Sequence, residues 1–330
     1  MAASLKPSGR AKVAAALLAA GVTVGFASAE VMLRIAKFEY HPFPVVQFGW
    51  PDPKTVVERY QPDVDLGWVG RDYRAILATA RATRPGVVFM GDSCTEFGTY
   101  PRQTLERLAT TSRGLSQGIS VAVGGWSSIQ GLQQLQRDIL PLRPRVVTIY
   151  YGWNDHWVAI GPPDAALRRT RLGMWLSSHL RLVQLADKLR IAWSTGSPAE
   201  RPNRVDLTTY EQTLSLMVRE IRTSGGGAVL VTAPSSHVEG REPEYLRARH
   251  LRRLGDLVPL HQTYVEATRR AARTAGAELC DAAAVFERLP PPIEQYLIRD
   301  GIHLSAAGDA AMADLLSGCI ARADASRAPR

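Results

Sequence analysis

The chain has little cysteine and almost no lysine. Its three cysteines, with no Cys-x-x-Cys pair among 330 residues, are too few and too scattered for a disulfide scaffold or a zinc site. Five of the 40 basic residues are lysine and the rest are arginine, so the formal charge of +9 reflects a general compositional bias. The densest basic run, residues 247–253, has no interleaved aromatic residue. We therefore expect no nucleic-acid partner.

Signatures of cofactor and metal chemistry are also absent from the sequence. The triglycine at residues 225–227 precedes an apolar run rather than a helix, so it does not form a phosphate-binding loop. No cluster of metal-ligating side chains shows a ligand spacing. Hydrophobic residues make up 45% of the chain and charged residues 22%, as in ordinary folded proteins. The sequence predicts a folded protein without a cofactor or a metal.

An apolar segment lies close to the N-terminus. Residues 13–29 are 17 uncharged residues, and three basic residues precede them, the last at Lys12. This is the pattern of an export signal, at the lower length limit of a membrane span. Either residues 1–34 stay as a single-pass anchor, or cleavage after Ala29 releases a secreted protein. In both cases the basic flank stays inside and the rest faces outward. The alternative is a buried alanine-rich helix.

The remaining sequence changes character near residue 85. Residues 35–85 are rich in proline, aspartate and aromatics, and they predict an extended arm. Five apolar runs follow, namely GVVFMGDS (86–93), ISVAVGG (119–125), RVVTIYYG (145–152), GAVLVTAP (227–234) and AELCDAA (277–283). Runs that are apolar on both faces are typical of buried parallel strands. Their alternation with amphipathic segments predicts a doubly wound α/β domain over residues 86–325.

Helices are predicted between these runs and after the last of them. The amphipathic segments are 102–112, 128–139, 208–223 and 264–275, with a final helix over 305–321. The third and fourth runs are separated by about 75 residues, more than one crossover needs. Within this stretch, residues 158–204 predict a helical insert. It either caps the crevice at the strand ends or packs on the sheet away from it.

Reactive and polar residues follow the ends of the predicted strands. Ser93 ends the first run, Gly125 ends the second, Asn154 follows the third, and Asp300 and His303 come after the fifth. Right-handed crossovers bring the carboxyl ends of parallel strands to one crevice. A hydroxyl, a glycine N–H, an amide and an Asp/His pair are what acyl transfer from an activated serine requires.

This combination resembles the SGNH/GDSL hydrolase family over roughly residues 86–322. Block one of the family is Gly-Asp-Ser followed by Thr-Glu, here residues 91–96. Block three is Gly-x-Asn-Asp, here residues 152–155, and block five is Asp-x-x-His, here residues 300–303. Block two keeps its glycine but has Ser120 where the family has asparagine, which weakens that block as a brace. The resemblance implies a three-layer α/β/α fold, flavodoxin-like, with a five-stranded parallel sheet.

The chemistry assigns a role to each of these residues. Ser93 is the predicted nucleophile, and His303 is the base that activates it and then the acid that protonates the leaving alkoxide. Asp300 orients the imidazole. The backbone N–H groups of Ser93 and Gly125 and the side-chain amide of Asn154 form the predicted oxyanion hole.

Aromatic residues near the predicted crevice are candidates for substrate binding. They are Trp126, Trp153, His156 and Trp157. The tryptophans either stack on a sugar ring or pack the loops. His156 is expected to form part of the pocket wall or to lie just behind it, rather than to act as a base. Arg204 ends the insert and is expected at the surface rather than on an anionic substrate.

The expected activity is that of a serine esterase or acylhydrolase acting through an acyl-enzyme. Export disfavours cytosolic acyl-CoA, and it favours O-acyl groups on envelope carbohydrate or lipid esters. An acyltransferase would use the same serine to acylate a polysaccharide hydroxyl, and the sequence does not separate it from a hydrolase. A non-catalytic binding module of the envelope is a third alternative, and the complete set of reactive residues argues against it. The sequence does not indicate an oligomeric state.

Overall fold

The computed structural model describes residues 9–40, 58–159, 162–166, 170–194, 201–246, 250–290 and 292–327. Its elements are α1 (Gly9–Ile35), β1 (Tyr60–Asp63), β2 (Gly67–Gly70), α2 (Tyr73–Thr83), β3 (Val87–Gly91), α3 (Ser93–Glu96), α4 (Tyr100–Thr111), β4 (Gly118–Ser120), α5 (Ser128–Gln134), β5 (Val146–Tyr150), α6 (Arg171–His179), α7 (Arg181–Ser194), α8 (Leu207–Thr223), β6 (Gly227–Val231), α9 (Leu257–Ala275), β7 (Glu278–Cys280), α10 (Ala282–Phe286) and α11 (Ala306–Ala325). They fall into two compact units, one made of α1, α6 and α7 and the other of the remaining elements.

The smaller unit contains the N-terminal helix and a helix pair. In the part of the chain that the structure describes, α1 is the one helix long and apolar enough to cross a membrane, over Lys12–Ile35. Near its end, the Glu30 carboxylate accepts the backbone N–H groups of Arg181 (3.0 Å) and Leu182 (2.9 Å). These N–H groups begin α7 and have no partner inside that helix. The Glu30 carboxylate therefore joins the end of α1 to the start of α7, and Arg34 of α1 donates to the same carboxylate at 2.8 Å.

The larger unit is built on a five-stranded parallel sheet of order β4-β3-β5-β6-β7. Alternate residues of β3 enter two separate apolar clusters, with Val88 and Met90 on one face and Val87 and Phe89 on the other. Helices α2, α8 and α9 cover the first face, and α4 and α11 cover the second. Both faces are therefore dry, which explains why the strands read as continuous apolar runs. The predicted three-layer α/β/α fold is confirmed.

Strand β4 is shorter than the apolar run that predicted it. It covers Gly118–Ser120, whereas the run extends to residue 125. The N–H groups of Val121 and Val123 nevertheless donate to the carbonyls of Phe89 (3.0 Å) and Gly91 (3.1 Å) in β3. The chain therefore stays beside β3 as far as the loop that contains Gly125.

The structure differs from the predicted extended arm. Residues 41–57 lie outside the described residues, but β1 and β2 form an antiparallel hairpin and α2 follows it. Helix α2 buries Tyr73, Leu77 and Ala80, which recur at helical spacing and join the core under the sheet. This short apolar stripe has helical spacing, which the composition of residues 35–85 does not indicate.

A disulfide joins the last strand to the last helix. Cys280 of β7 and Cys319 of α11 are bonded, with their Cα atoms 5.7 Å apart and a sequence separation of 39. The cysteine count excluded a disulfide scaffold, and this single bridge is not one. It closes a loop that contains the predicted Asp300–His303 pair.

Candidate active site

Ser93 lies just beyond the carboxyl end of strand β3, as the first residue of the short helix α3. Asp92 caps this helix, because its Oδ1 accepts the N–H of Cys94 at 2.9 Å. A serine at the first helical position has a backbone N–H without an intrahelical acceptor. The cap thus holds the backbone of Ser93, with its hydroxyl and its N–H, at the carboxyl end of β3.

Ser93, His303 and Asp300 form a continuous hydrogen-bonded path. The Ser93 Oγ lies 2.8 Å from His303 Nε2, and His303 Nδ1 lies 2.6 Å from the Asp300 Oδ2. The other oxygen of Asp300 accepts the backbone N–H groups of Ile302 (2.9 Å) and His303 (3.0 Å). Burial alone would raise the pKa of Asp300, but these hydrogen bonds and His303 hold the pKa of that carboxyl below its usual value. Asp300 is therefore an ionised, fixed acceptor for His303.

The three residues that carry the predicted oxyanion-hole donors, Ser93, Gly125 and Asn154, line one cavity. Gly125 has φ of +80°, a conformation that favours glycine, and its N–H has no acceptor among the described residues. Asn154 donates one amide hydrogen to Asp92 Oδ2 at 2.9 Å, which leaves its second amide hydrogen available. The cavity measures about 350 Å³ and contains Gly125, Asn154 and Ser93 in its wall.

Two buried aspartates brace these loops. Burial raises the pKa of Asp92, while its bonds to Cys94 and Asn154 act in the opposite direction. Burial raises the pKa of Asp155 to about 7. Asp155 accepts the N–H and the hydroxyl of Ser128 and the N–H of Gly152 (3.1 Å), so it ties the loop after β5 to the start of α5.

The loop that contains Gly125 is held from three sides. Its Gly124 N–H donates to the Glu96 carboxylate, and its Gly124 carbonyl accepts Trp68 Nε1–H at 3.0 Å. The Gly125 carbonyl accepts from Arg204 Nη1 at 2.8 Å. The side chain of Arg204 is completely buried, so the expectation of a surface role was wrong. It reaches the site because the two ends of the insert pair, through the Val158–Asn203 bridge.

The predicted substrate-binding residues separate into two groups. Trp153 and Trp157 line the cavity at Ser93. Trp126 is completely buried, donates through Nε1 to the Trp68 carbonyl (3.0 Å) and is not in the cavity wall, so it is not placed to touch a substrate there. Its neighbour Gly125 turns the backbone, which sends the indole into the core.

His156 also lies outside the wall of this cavity. It is fully buried, and its Nε2 lies 3.2 Å from His261 Nδ1, while His261 Nε2 donates to the Ala233 carbonyl at 2.9 Å. The carbonyl can only accept, so His261 Nε2 carries a hydrogen, and a neutral His261 accepts at Nδ1 from His156 Nε2. Burial lowers the pKa of His156 and brings that of His261 to about 4. His156 lines a neighbouring cavity rather than the wall beside Ser93.

The sequence argument missed part of the cavity wall. Tyr245, Leu246 and His250 line it, and they come from the loop between β6 and α9. The rule that strand ends converge pointed to this loop as well, because β6 is the fourth parallel strand. Phe97 and Ile302, each close in sequence to a predicted catalytic residue, complete the wall. The role of residues 158–204 as a cap stays a prediction.

The hydroxyl of Ser116 and the thiol of Cys94 are not placed to act as nucleophiles. Residues 114–118 read Gly-Leu-Ser-Gln-Gly, which matches the Gly-x-Ser-x-Gly motif of a nucleophile in a strand-to-helix turn. This segment instead precedes β4, and it lies at the amino ends of the strands, on the opposite side of the sheet from Ser93. Cys94 is buried, and burial raises the pKa of its thiol well above the usual value. The hydrogen-bonded path from Ser93 to Asp300 is therefore the arrangement of a serine hydrolase on an α/β/α fold.

Comparisons with known proteins agree with this class. The model of the GDSL-like lipase/acylhydrolase family matches residues 89–311. The chain belongs to this family, and it is an enzyme that cleaves ester bonds. No curated protein matches the sequence.

Several solved structures are similar to the chain at low identity. A lipase/acylhydrolase from Enterococcus faecalis is 17% identical, with 74% of this chain and 98% of that chain covered at a TM-score of 0.47. A GDSL-like lipase from Parabacteroides merdae is 17% identical, with 72% and 96% covered at 0.49. The acetylxylan esterase Axe2 from Geobacillus stearothermophilus is 19% identical, with 72% and 93% covered at 0.43.

Proposed function

We propose that the chain is a serine esterase that hydrolyses O-acyl groups through an acyl-enzyme on Ser93. The observation that carries this proposal is the path from the Ser93 hydroxyl through His303 to Asp300, open to a cavity. Each link is within hydrogen-bond distance, at 2.8 Å and 2.6 Å. A nucleophile that contacts its base, and a base that contacts its orienting acid, meet the geometric requirement for covalent catalysis.

The reaction has two halves that use the same groups. As Ser93 Oγ attacks the ester carbonyl, His303 Nε2 takes its proton and then delivers that proton to the leaving alkoxide. Water then attacks the acyl-enzyme, with His303 as its base, and the acid product and free Ser93 are released. Asp300 stabilises the imidazolium in both halves. It keeps Nδ1 protonated, so Nε2 is the nitrogen that accepts the proton from Ser93.

The negative charge on the carbonyl oxygen requires fixed donors. The backbone N–H groups of Ser93 and Gly125 and the free amide hydrogen of Asn154 supply three in the same cavity wall. One such donor is worth about 3–4 kcal/mol of transition-state stabilisation. Asp92 supports this role of Asn154, because its hydrogen bond fixes which way the amide points.

The cavity wall supports a carbohydrate or lipid ester as the substrate. Trp153 and Trp157 are buried at 2% and 5% exposure, whereas Phe97 and Tyr245 are exposed at 42% and 57%. Apolar surface that stays exposed around a cavity favours a ligand that covers it. The inner tryptophans suit the acyl group, and the outer rings suit the alcohol part of an O-acyl carbohydrate.

Hydrolysis of two substrate series tests this proposal. We expect release of acetate from acetylated glycans, and turnover of p-nitrophenyl esters that falls as the acyl chain lengthens. Turnover that rises with chain length, without acetate release, would favour a lipid ester. Acyl transfer to an added saccharide in preference to water would identify an acyltransferase. No turnover, together with no labelling of Ser93 by a fluorophosphonate, would leave only the binding module.

We also propose that α1 is retained as a single-pass anchor and that the catalytic unit faces outward. Cleavage after Ala29 would remove most of α1 and would put the new N-terminus at Glu30, which caps α7. The disulfide between Cys280 and Cys319 supports an oxidising compartment. Fractionation should find the full-length chain in the membrane, and external protease should digest the catalytic unit of intact cells after outer barriers are removed. Full-length chain in the cytosol would contradict this topology.

A further inference from the structure

The loop that carries Gly125 is a tight turn with a defined handedness. The Trp126 N–H donates to the Val123 carbonyl at 3.2 Å, which closes a four-residue β-turn. Its third residue, Gly125, has φ of +80°, whereas Gly124 is not among the positive-φ glycines. A positive φ at the third residue alone is the type II conformation. The central peptide of this turn is the bond between Gly124 and Gly125.

This central peptide contains both the Gly124 carbonyl and the Gly125 N–H. In a planar trans peptide, the Gly124 carbonyl and the Gly125 N–H point in opposite directions. Type I and type II turns differ by a flip of the central peptide, which would exchange these directions. Two consecutive glycines offer little steric resistance to such a flip. The direction of the Gly125 N–H therefore depends on what holds the Gly124 carbonyl.

Trp68 is the side chain that holds it. Trp68 is 1% exposed, and its Nε1–H donates to the Gly124 carbonyl at 3.0 Å. Its own backbone is fixed, because it pairs with Pro62 in the β1–β2 hairpin and its carbonyl accepts Trp126 Nε1–H at 3.0 Å. The contact thus runs from a rigid hairpin to the central peptide of the turn.

The other contacts to the loop act on neighbouring peptides. Glu96 accepts the Gly124 N–H, which belongs to the peptide before the central one. Arg204 donates to the Gly125 carbonyl, which belongs to the peptide after it. Within the described chain, Trp68 is the partner of the peptide that carries the Gly125 N–H.

We propose that Trp68 is a positioning residue for the oxyanion hole. By binding the Gly124 carbonyl, it keeps the turn in the type II form and directs the Gly125 N–H into the cavity beside Ser93. The hydrogen bond on the carbonyl also polarises the peptide, which makes the N–H a stronger donor. This inference rests on the proposed catalytic role of Gly125. It gives the β1–β2 hairpin a function in the reaction.

Removing only the indole N–H tests the inference. We expect Trp68→Phe to lower kcat for p-nitrophenyl acetate about 5- to 50-fold, between the loss of one hydrogen bond and the loss of a whole oxyanion donor. KM should stay within about twofold and the acidic limb of the pH–rate profile should not move, because His303 and Asp300 are untouched. Benzothienylalanine at position 68 keeps the shape of the indole without its N–H, and it should lower kcat as much.

Tyr73→Phe is the matched control. Tyr73 is also buried in this segment, and its hydroxyl donates to Asp138 at 2.8 Å. Phenylalanine keeps the ring that packs edge-on against Trp126 of the turn, and it removes only the hydroxyl. It should lower the unfolding temperature as Trp68→Phe does and leave kcat within about twofold of the wild type. The inference is overturned if the benzothienylalanine protein keeps its kcat, if Tyr73→Phe loses as much kcat, or if the loss appears in KM alone. A wild-type protein without turnover would contradict the proposed function, and the inference with it.

Discussion

The buried pair Arg204–Asp164 gives the sharpest stability prediction. Both side chains are buried, at 0% and 2% exposure, and Arg204 Nη2 lies 2.6 Å from Asp164 Oδ2. Arg204 Nε lies 3.1 Å from the same oxygen, and Nη1 donates to the Gly125 carbonyl at 2.8 Å. One guanidinium therefore neutralises a buried carboxylate and holds the loop that contains Gly125.

Arg204→Met removes both functions of this guanidinium. It breaks the buried ion pair between Arg204 and Asp164, and removing one partner of such a pair costs about 3–5 kcal/mol of unfolding free energy. For a unit of this size, that is a fall in unfolding temperature of roughly 6–20 °C. The measurement is urea unfolding of the detergent-solubilised full chain, followed by tryptophan fluorescence. Arg145→Met is the control, because Arg145 pairs with Asp324 in a similar geometry at 43% exposure, where such pairs contribute about 0–1 kcal/mol.

A double variant separates charge burial from the contact to the loop. Arg204→Met with Asp164→Leu removes both charges and should recover most of the lost stability, because an apolar pair can replace a buried ion pair. Its kcat should stay below that of the wild type, because the Gly125 carbonyl still lacks its donor. The reasoning is refuted if Arg204→Met costs less than about 1 kcal/mol, or if the double variant is no more stable than the single one.

The remaining predictions concern the catalytic path and the disulfide. Ser93→Ala should lower p-nitrophenyl acetate hydrolysis by about three orders of magnitude with an unchanged circular dichroism spectrum, and activity above about a tenth of wild type would contradict the nucleophile. His303→Ala should lose about as much, whereas Asp300→Asn should lose less and move the acidic limb of the pH–rate profile to lower pH, since a neutral partner stabilises the imidazolium less; equal losses would refute this grading. Replacing Cys280 and Cys319 by serine should cost about 4 kcal/mol of unfolding free energy with kcat retained, and an unfolding temperature insensitive to reductant in the wild type would argue against the bridge.

The sequence predicted the sheet because its strands are buried on both faces. Val87 and Val88 point to opposite sides of β3 and both are buried, so the apolar run has no polar interruption. The structure of residues 35–85 was harder to predict, because the buried residues of α2, Tyr73, Leu77 and Ala80, lie among arginines and threonines. Three apolar positions in one short helix are a weak period.

The site could be predicted where its residues lie in short motifs at strand ends. Ser93, Asn154 and the Asp300–His303 pair stand within such motifs. Trp68 and Arg204 could not be found this way, because they contact Gly124 and Gly125 from 56 and 79 residues away. A single side chain that donates to a backbone carbonyl far away in the sequence belongs to no local motif that could predict the contact.

The distance along the chain between Ser93 and His303 has a consequence for biosynthesis. These partners are 210 residues apart, and His303 lies between the two cysteines of the terminal disulfide. On the proposed mechanism, a chain that emerges from its N-terminus presents the nucleophile Ser93 early and its base His303 only at the end. Until His303 is made, the proposed base is absent, and we expect the unfinished protein not to acylate itself. A chain ending before Asp300 would hold every strand of the central sheet and an inert hydroxyl at its edge.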